Sequence, residues 1–221
     1  MNLRDALILI DELYDLPETG ENVPWYDSVV NDHIGGVDTG WVMGSVFADE
    51  GRLLYGLLRA IRPAVVFEVG CANGCSSSHM LDALHANGKG KLISADLYEH
   101  AGAKITPALA ERHVIFRQDA QEIFGQVGKT VTWPDGKRRK LPRPEFIFDD
   151  GGHKTDQVAA LAALALEYLK PGGFMLWHDT MHPVIGEQVR SGIKAGGITG
   201  ARFLLLDGTD TGVGVWQKNT A

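Results

Sequence analysis

The period of apolar and polar positions changes along the chain, and each change marks an element. Residues 2–15, "NLRDALILIDELYD", carry apolar side chains at helical spacing and predict an amphipathic helix. From Pro17 to Gly44 that period is lost among Gly, Asp and Trp, which predicts an irregular segment. Its Trp25, Tyr26 and Trp41 suit either covering a ligand or packing on the rest of the chain. A second helix is predicted from about Asp49 to Ile61. Beyond it, short β-branched or apolar runs alternate with helical stretches. The runs are "AVVFEVG", "KLISADL", "HVIFRQD", "EFIFDD", "GFMLWHD", "ARFLLLD" and "GVGVWQK". Between them lie a helix opened by the hydroxyl-rich "SSSHMLDALHANG", one near 102–111, a short one from Ala120, a long one from Thr155 to Leu169 and one near 184–195. This spacing predicts an α/β fold, a Rossmann-like doubly wound sheet of seven strands with helices on both faces. The polar turn "GTDTG" is too short for a crossover, so the last strand must run antiparallel to its predecessor.

Composition narrows the function classes. The chain has 221 residues, 44% hydrophobic and 22% charged, enough for a fair-sized globular core. With 28 acidic against 21 basic side chains and a formal charge of −7, no broad nucleic-acid footprint is expected. The one basic run, "KRRK" at Lys137–Lys140, sits in "TVTWPDGKRRKLP", which reads as a hairpin. Placed just before "EFIFDD", the hairpin is expected near the mouth of a site there, where it would shape ligand choice or a contact between copies of the chain in a homo-oligomer. Cys71 and Cys75 flank a glycine loop with no second pair to complete a thiolate metal site, so they read as small buried residues. The N-terminus lacks the pattern of a signal peptide and no apolar run is long enough to span a bilayer, so a cytoplasmic protein without a membrane partner is expected.

Open sheets of this kind bind ligands beyond the carboxyl ends of their strands. The residues there are Glu68 and Gly70, then Asp96, then Asp119, then Asp149 and Asp150, and lastly His178 and Asp179. A dinucleotide loop needs G-x-G-x-x-G to bring pyrophosphate against bare backbone. Here "EVGCANGCSS" has Gly70 and Gly74 four apart with no third glycine in register, and Glu68 would repel a pyrophosphate. A ligand without phosphate that carries an ammonium group and ribose hydroxyls suits the acids better, and S-adenosylmethionine is such a ligand. An NAD-dependent oxidoreductase and a metal-dependent hydrolase built on the acid and histidine cluster are the alternatives from other classes, beside a non-catalytic relative that only binds the cofactor.

The segment "VFEVGCANGCSS" resembles the first motif of class I S-adenosylmethionine-dependent methyltransferases. The resemblance covers roughly residues 64–217 and divides the chain into a helical and loop cap, 1–62, and a methyltransferase domain, 63–221. It implies that Asp96 binds the ribose hydroxyls, that Asp119 contacts the adenine amino group with Ala120 supplying a backbone amide, and that Gly70 and Gly74 let the backbone pass close to the methionine portion. It further implies that Ser76 meets the ligand's carboxylate and that Glu68 stands near its amino end.

The segment "FIFDDGGH" is similar to the strand-four turn of metal-dependent sugar O-methyltransferases and, more distantly, of the catechol O-methyltransferase group. There an acid binds Mg²⁺ and a base sits three residues on, which implies Asp150 as ligand and His153 as general base, with Asp149 left to cap the next helix or support the site. "LKPGGFMLWHDT" likewise implies Asp179 as a ligand, with His178 or Thr180 adjoining. The expectation is therefore a divalent metal, Mg²⁺ or Mn²⁺, on Asp150, His178 and Asp179, although an imidazole suits Mn²⁺, Fe²⁺ or Zn²⁺ better than Mg²⁺. The implied reaction is methyl transfer from S-adenosylmethionine to a hydroxyl of a small molecule, a sugar or natural product.

Overall fold

The computed structural model describes residue 46 and residues 48–199, 203–206 and 211–220. The helix expected over 2–15, and Trp25, Tyr26 and Trp41, lie outside the described residues. A first helix, α1 (Ala48–Ile61), leads into β1 (Val65–Val69), α2 (Cys75–Ala86), β2 (Lys91–Ala95), the single turn α3 (Pro107–Ala110), β3 (His113–Phe116) and α4 (Ala120–Phe124). The hairpin β4 (Thr130–Thr132) and β5 (Arg138–Lys140) follows, then β6 (Phe146–Asp149), α5 (Thr155–Tyr168), β7 (Phe174–Trp177), α6 (Gly186–Ala195), β8 (Phe203–Leu206) and β9 (Val213–Gln217).

Seven strands form one sheet in the order β3-β2-β1-β6-β7-β9-β8. All neighbours pair in parallel as far as β7; β9 runs antiparallel to β7 and also to β8, the latter as the short turn before it requires. Strand order reverses between β1 and β6, so their carboxyl ends open the crevice in which such sheets hold ligands.

Period-two alternation clothes both faces of the sheet. Val66, Phe146, Phe148, Phe174 and Leu176 pack against Leu54, Leu57, Leu58, Met80 and Leu84 of α1 and α2. Phe67, Ile147, Met175 and Trp177 point the other way, onto Leu161 and Ala165 of α5 and Val189 and Ile193 of α6. Glu68 shares the face of Val66 and is driven beneath α2 by the same alternation, where it is fully buried.

Two expected helices differ. The one predicted over 102–111 shrinks to α3, because Gly102 turns with φ +74° where a Cβ would strike Ile115, and Thr106 is extended (ψ 149°) before Pro107. The start of α2 has no hydroxyl cap: Gly74 caps it at φ 103° without a side-chain hydrogen bond. The hairpin forms as predicted, but Val131, Trp133 and Leu141 fold it onto Phe116, Phe124 and Val127 at the β3 and α4 side of the molecule. Trp133 meets Phe116 edge-on, with ring centroids 5.8 Å apart.

Candidate active site

A cavity of about 780 Å³ opens over the carboxyl ends of β1, β2, β3, β6 and β7. Its volume lies within the range of small-molecule sites. One half is walled by Gly70, Cys71, Ala72, Asp96, Asp119 and Ala120. Here the backbone satisfies the acids. Asp96 Oδ2 accepts from the amides of Cys71 (2.8 Å) and Ala72 (2.7 Å), and Oδ1 accepts from Tyr98 N at 2.7 Å. This carboxylate therefore braces the glycine loop from the end of the neighbouring strand. Asp119 caps α4 through Gln121 N (2.8 Å) and stays exposed at the cavity wall. Gly70 must be glycine on two counts: φ is +76°, and a Cβ would lie 2.2 Å from the carbonyl oxygen of Asp150.

Three of the residues expected at the cofactor behave differently. Glu68 does not line the cavity; Ser76 and Ser77 each donate to it at 2.7 Å, and Ser94 at 2.5 Å. Burial raises its pKa to about 7 against the pull of these hydroxyls. Ser76 reaches the cavity wall, but its hydroxyl is the one donated to Glu68. Gly74 is also absent from the wall, its φ and the Ile105 side chain beside it explaining the residue instead. Nor does any residue of 129–141 line the cavity, so the hairpin does not stand at its mouth.

The other half gathers Asp150, His153, His178, Asp179 and Thr211. In-register pairing of β6 with β7 brings the turns after Asp149 and Trp177 together, as their neighbouring positions in the sheet require. Asp179 holds a left-handed φ of 58°, an uncommon conformation for a residue other than glycine. His153 Nε2 lies 3.0 Å from Asp179 Oδ2 and 3.9 Å from Asp150 Oδ1, yet is aligned for a hydrogen bond with neither. Asp150 and Asp179 raise its pKa to about 9 against partial burial. Burial works against ionisation of Asp179, but His153 and His178 hold its carboxyl far below the usual carboxylate range. Asp149 is buried, accepts from Gly151 N at 3.4 Å, and has a pKa raised by burial to about 7. It does not cap α5, which starts after Lys154 without a side-chain cap.

His178 is the main departure from expectation. It is 2% exposed, with Nδ1 2.9 Å from Asp150 Oδ1 and Nε2 2.7 Å from Glu50 Oε2. Burial opposes its charge, but Asp150, Asp179 and Glu50 hold its pKa well above the ordinary value. A ring with both nitrogens turned to carboxylates carries two N–H groups and has no lone pair for a metal. The ligand atoms that converge, all within 4.8 Å of one another, belong to Asp150, His153 and Asp179. Glu50 was not legible as a site residue, because an acid in the first turn of a helix is ordinary. Thr211, which donates from Oγ1 to Glu50 Oε1 at 2.8 Å, was likewise hidden in a polar turn.

The fold and cavity can now be set beside known proteins. A family model described as a methyltransferase domain matches residues 67–180, from β1 to the end of β7. Among curated proteins, no match to the sequence is found. Solved structures match along almost the whole chain. The O-methyltransferase TomG from Streptomyces achromogenes, involved in tomaymycin synthesis and solved with S-adenosylmethionine, is 17% identical with a TM-score of 0.64, covering 99% of each chain. An O-methyltransferase from Bacillus cereus, solved with S-adenosylhomocysteine, is 16% identical with a TM-score of 0.63, covering 97% of each. An S-adenosylhomocysteine-bound methyltransferase from Podospora anserina is 15% identical with a TM-score of 0.62, covering 100% of this chain and 97% of its own. Among the described residues, no helix is long and apolar enough to cross a membrane. The family match runs through the strand ends that wall the cavity and sets aside the oxidoreductase and hydrolase alternatives: the chain belongs to the methyltransferase-domain family and is a class I S-adenosylmethionine-dependent methyltransferase.

Proposed function

We propose that the enzyme transfers the methyl group to a hydroxyl of a small molecule, a sugar or natural product, with a divalent ion on Asp150 and Asp179. The observation that carries this reading is the convergence of Asp150, His153 and Asp179 in the cavity that Asp96 and Asp119 wall at its other end. Solved relatives named for O-methylation, with S-adenosylmethionine or S-adenosylhomocysteine bound, support it.

The residues fit a cation. Two carboxylates and a part-buried imidazole nitrogen that is aligned with no hydrogen-bond partner offer ligand atoms toward one point. Oxygen-rich donors with one imidazole suit Mg²⁺ or Mn²⁺. Asp150 and Asp179 would hold the ion, which would fix the acceptor hydroxyl and lower its pKa. Methyl transfer is an in-line displacement at carbon. The acceptor oxygen, the methyl carbon and the sulfur must be collinear, so the cavity's first task is to hold both reactants end to end. Asp96 supports this by bracing the loop at Cys71 and Ala72. His153 takes the acceptor proton at Nε2. A ring kept protonated to about pH 9 is a poor base at neutral pH, but the two carboxylates are the cause of that rise, and a cation held by them would offset it.

A second reading, favoured by the place of His153 Nε2 in the converging group, makes His153 a third ligand. One experiment tests both. Turnover is followed by mass spectrometry with S-adenosylmethionine and a panel of catechols and glycosides, after dialysis against chelator and again after adding Mg²⁺ or Mn²⁺. Loss and recovery of methylation are expected, and full activity in excess chelator would remove the metal from the mechanism. Mn²⁺ binding retained by His153→Ala assigns the base, whereas its loss assigns the ligand.

A further inference from the structure

We infer that Glu50 is a positioning residue for the acceptor half of the site, acting through His178 to hold the Asp150 carboxylate in place. The inference rests on the reading of Asp150 as a metal ligand. No motif pointed to Glu50, which lies on α1 outside the matched family segment of 67–180.

Glu50 is 1% exposed and His178 2%, so neither is a solvated surface charge. The carboxylate uses both oxygens. Oε2 accepts from His178 Nε2 at 2.7 Å, while Oε1 accepts from Thr211 Oγ1 at 2.8 Å and from Thr211 N at 3.2 Å. The far side of the same imidazole donates from Nδ1 to Asp150 Oδ1 at 2.9 Å. A continuous chain thus runs from α1 through the end of β7 to the end of β6. The backbone locks its middle, because His178 N donates to Asp149 O (3.0 Å) and Met181 N to Thr211 O (2.8 Å).

The ring is held from both sides, by Asp150 at Nδ1 and by Glu50 with Thr211 at Nε2, so the direction in which Nδ1 meets Asp150 is set by the partners on the far side. Glu50 supplies the nearer of these, from the side away from the cavity. A side chain that ends short of Nε2 leaves the ring free to turn, and Asp150 with it. Supporting hydrogen bonds of this kind orient metal-binding groups, and their loss typically weakens metal affinity about 10- to 100-fold.

Truncation in Glu50→Ala is the sharp test, and the isosteric Glu50→Gln is its rescue: the amide oxygen can accept from Thr211 while its NH₂ donates to Nε2 of a neutral ring that keeps Nδ1–H on Asp150. Wild type, Glu50→Gln, Glu50→Ala and Asp150→Asn are titrated with Mn²⁺ by electron paramagnetic resonance and with S-adenosylhomocysteine by calorimetry. Crystal structures of wild type and Glu50→Ala are solved in parallel. Expected are a loss of Mn²⁺ affinity of about 10- to 100-fold in Glu50→Ala, recovery towards wild type in Glu50→Gln, unchanged S-adenosylhomocysteine affinity, and an Asp150 carboxylate turned from His178 in the Glu50→Ala crystal. Mn²⁺ affinity equal to wild type in Glu50→Ala would overturn the inference, as would loss of S-adenosylhomocysteine binding in step with Mn²⁺, which marks general damage to the fold. If wild type binds S-adenosylhomocysteine but no Mn²⁺, the metal reading itself fails, and the crystal decides the positioning role alone: an unmoved Asp150 overturns it and a turned one supports it.

Discussion

At the ends of β1 to β3 the acids meet the protein's own donors, whereas at the ends of β6 and β7 acids and imidazoles face one another. Asp96 accepts three backbone amides and Asp119 caps a helix. The half proposed for the cofactor is held in shape by these bonds, so a ligand there would add hydrogen bonds to a loop already braced. In the half proposed for the acceptor, Asp150, Asp179 and Glu50 are offset by His153 and His178, and His153 Nε2 sits close to two carboxylates without an aligned bond. Like charges this close persist only with a cation or proton between them. One half is thus built to hold a shape, and the other to receive charge.

The largest way to break this contrast is at His153. His153→Ala should lower turnover by about 10²- to 10⁴-fold, the usual loss for a positioned general base. S-adenosylhomocysteine affinity should not change, because the residue stands at the other end of the cavity. The imidazole-dependent limb of the rate profile should vanish. In wild type that limb lies between the ordinary 6.5 and about 9, according to how fully a cation offsets Asp150 and Asp179. Stopped-flow turnover across pH reads both effects, and a profile unchanged in the variant would take the proton transfer away from His153.

The complementary break is Asp96→Ala, which removes the brace under Cys71 and Ala72 together with the oxygens proposed for the ribose. Its cost in S-adenosylhomocysteine affinity should be about 2–4 kcal/mol, from hydrogen bonds to a charged group worth roughly 1.5–3 kcal/mol each, discounted for water entering the gap. Mn²⁺ binding should be unaffected. Calorimetry showing full affinity would mean that the backbone holds the loop unaided.

The contrast also explains which parts were legible in the sequence. Strand ends and the closeness of the Asp150 and Asp179 turns follow from short apolar runs and the right-handed crossover rule, so both halves could be located. Direction was harder. Glu68 stands one residue from the turn in a motif that suggests ligand contact, yet alternation along β1 points it under α2. Ser76 followed it. His178 looked like a ligand because its partner on the far side, Glu50, is distant in sequence and sits in an unremarkable helix start. Local pattern reveals which residues reach the sheet's edge, but not which of their atoms are already engaged.

Glu68 sharpens the comparison through stability. Its folded pKa is about 7 against an ordinary 4.5, so the native state binds the proton more tightly than the unfolded chain. The stability that Glu68 contributes should therefore be fullest below about pH 4.5, fall as pH rises towards 7, and level off above. Asp149, raised from 3.8 to about 7, adds a fall over the same window. Urea unfolding at acid and at mildly alkaline pH should show a smaller fall in Glu68→Gln than in wild type. The difference should be about 1–3.5 kcal/mol, the upper value being the whole rise at about 1.4 kcal/mol per pH unit. Equal falls in the two proteins would mean that the serines keep Glu68 ionised.

The smallest effect is expected from the basic hairpin, and it bears on where the acceptor half ends. Sequence position alone placed "WPDGKRRK" at the site mouth, just before β6. Packing places it elsewhere, because Trp133, Val131 and Leu141 are drawn onto Phe116, Phe124 and Val127, and the charged side chains of β5 are left outward. Arg139 lies over the Trp133 ring at 5.2 Å and belongs to that packing, so it is left in place. Arg138→Glu with Lys140→Glu reverses the exposed charge without touching the buried residues. Stability should stay within about 0.5 kcal/mol, as for surface changes generally. S-adenosylhomocysteine affinity, Mn²⁺ affinity and the order of preference among acceptors should all be unchanged, since the cavity takes its wall from other loops. A changed order of acceptors in the double variant would show that an anionic acceptor reaches the hairpin from the cavity, and the boundary of the acceptor half would then have to be drawn past α4.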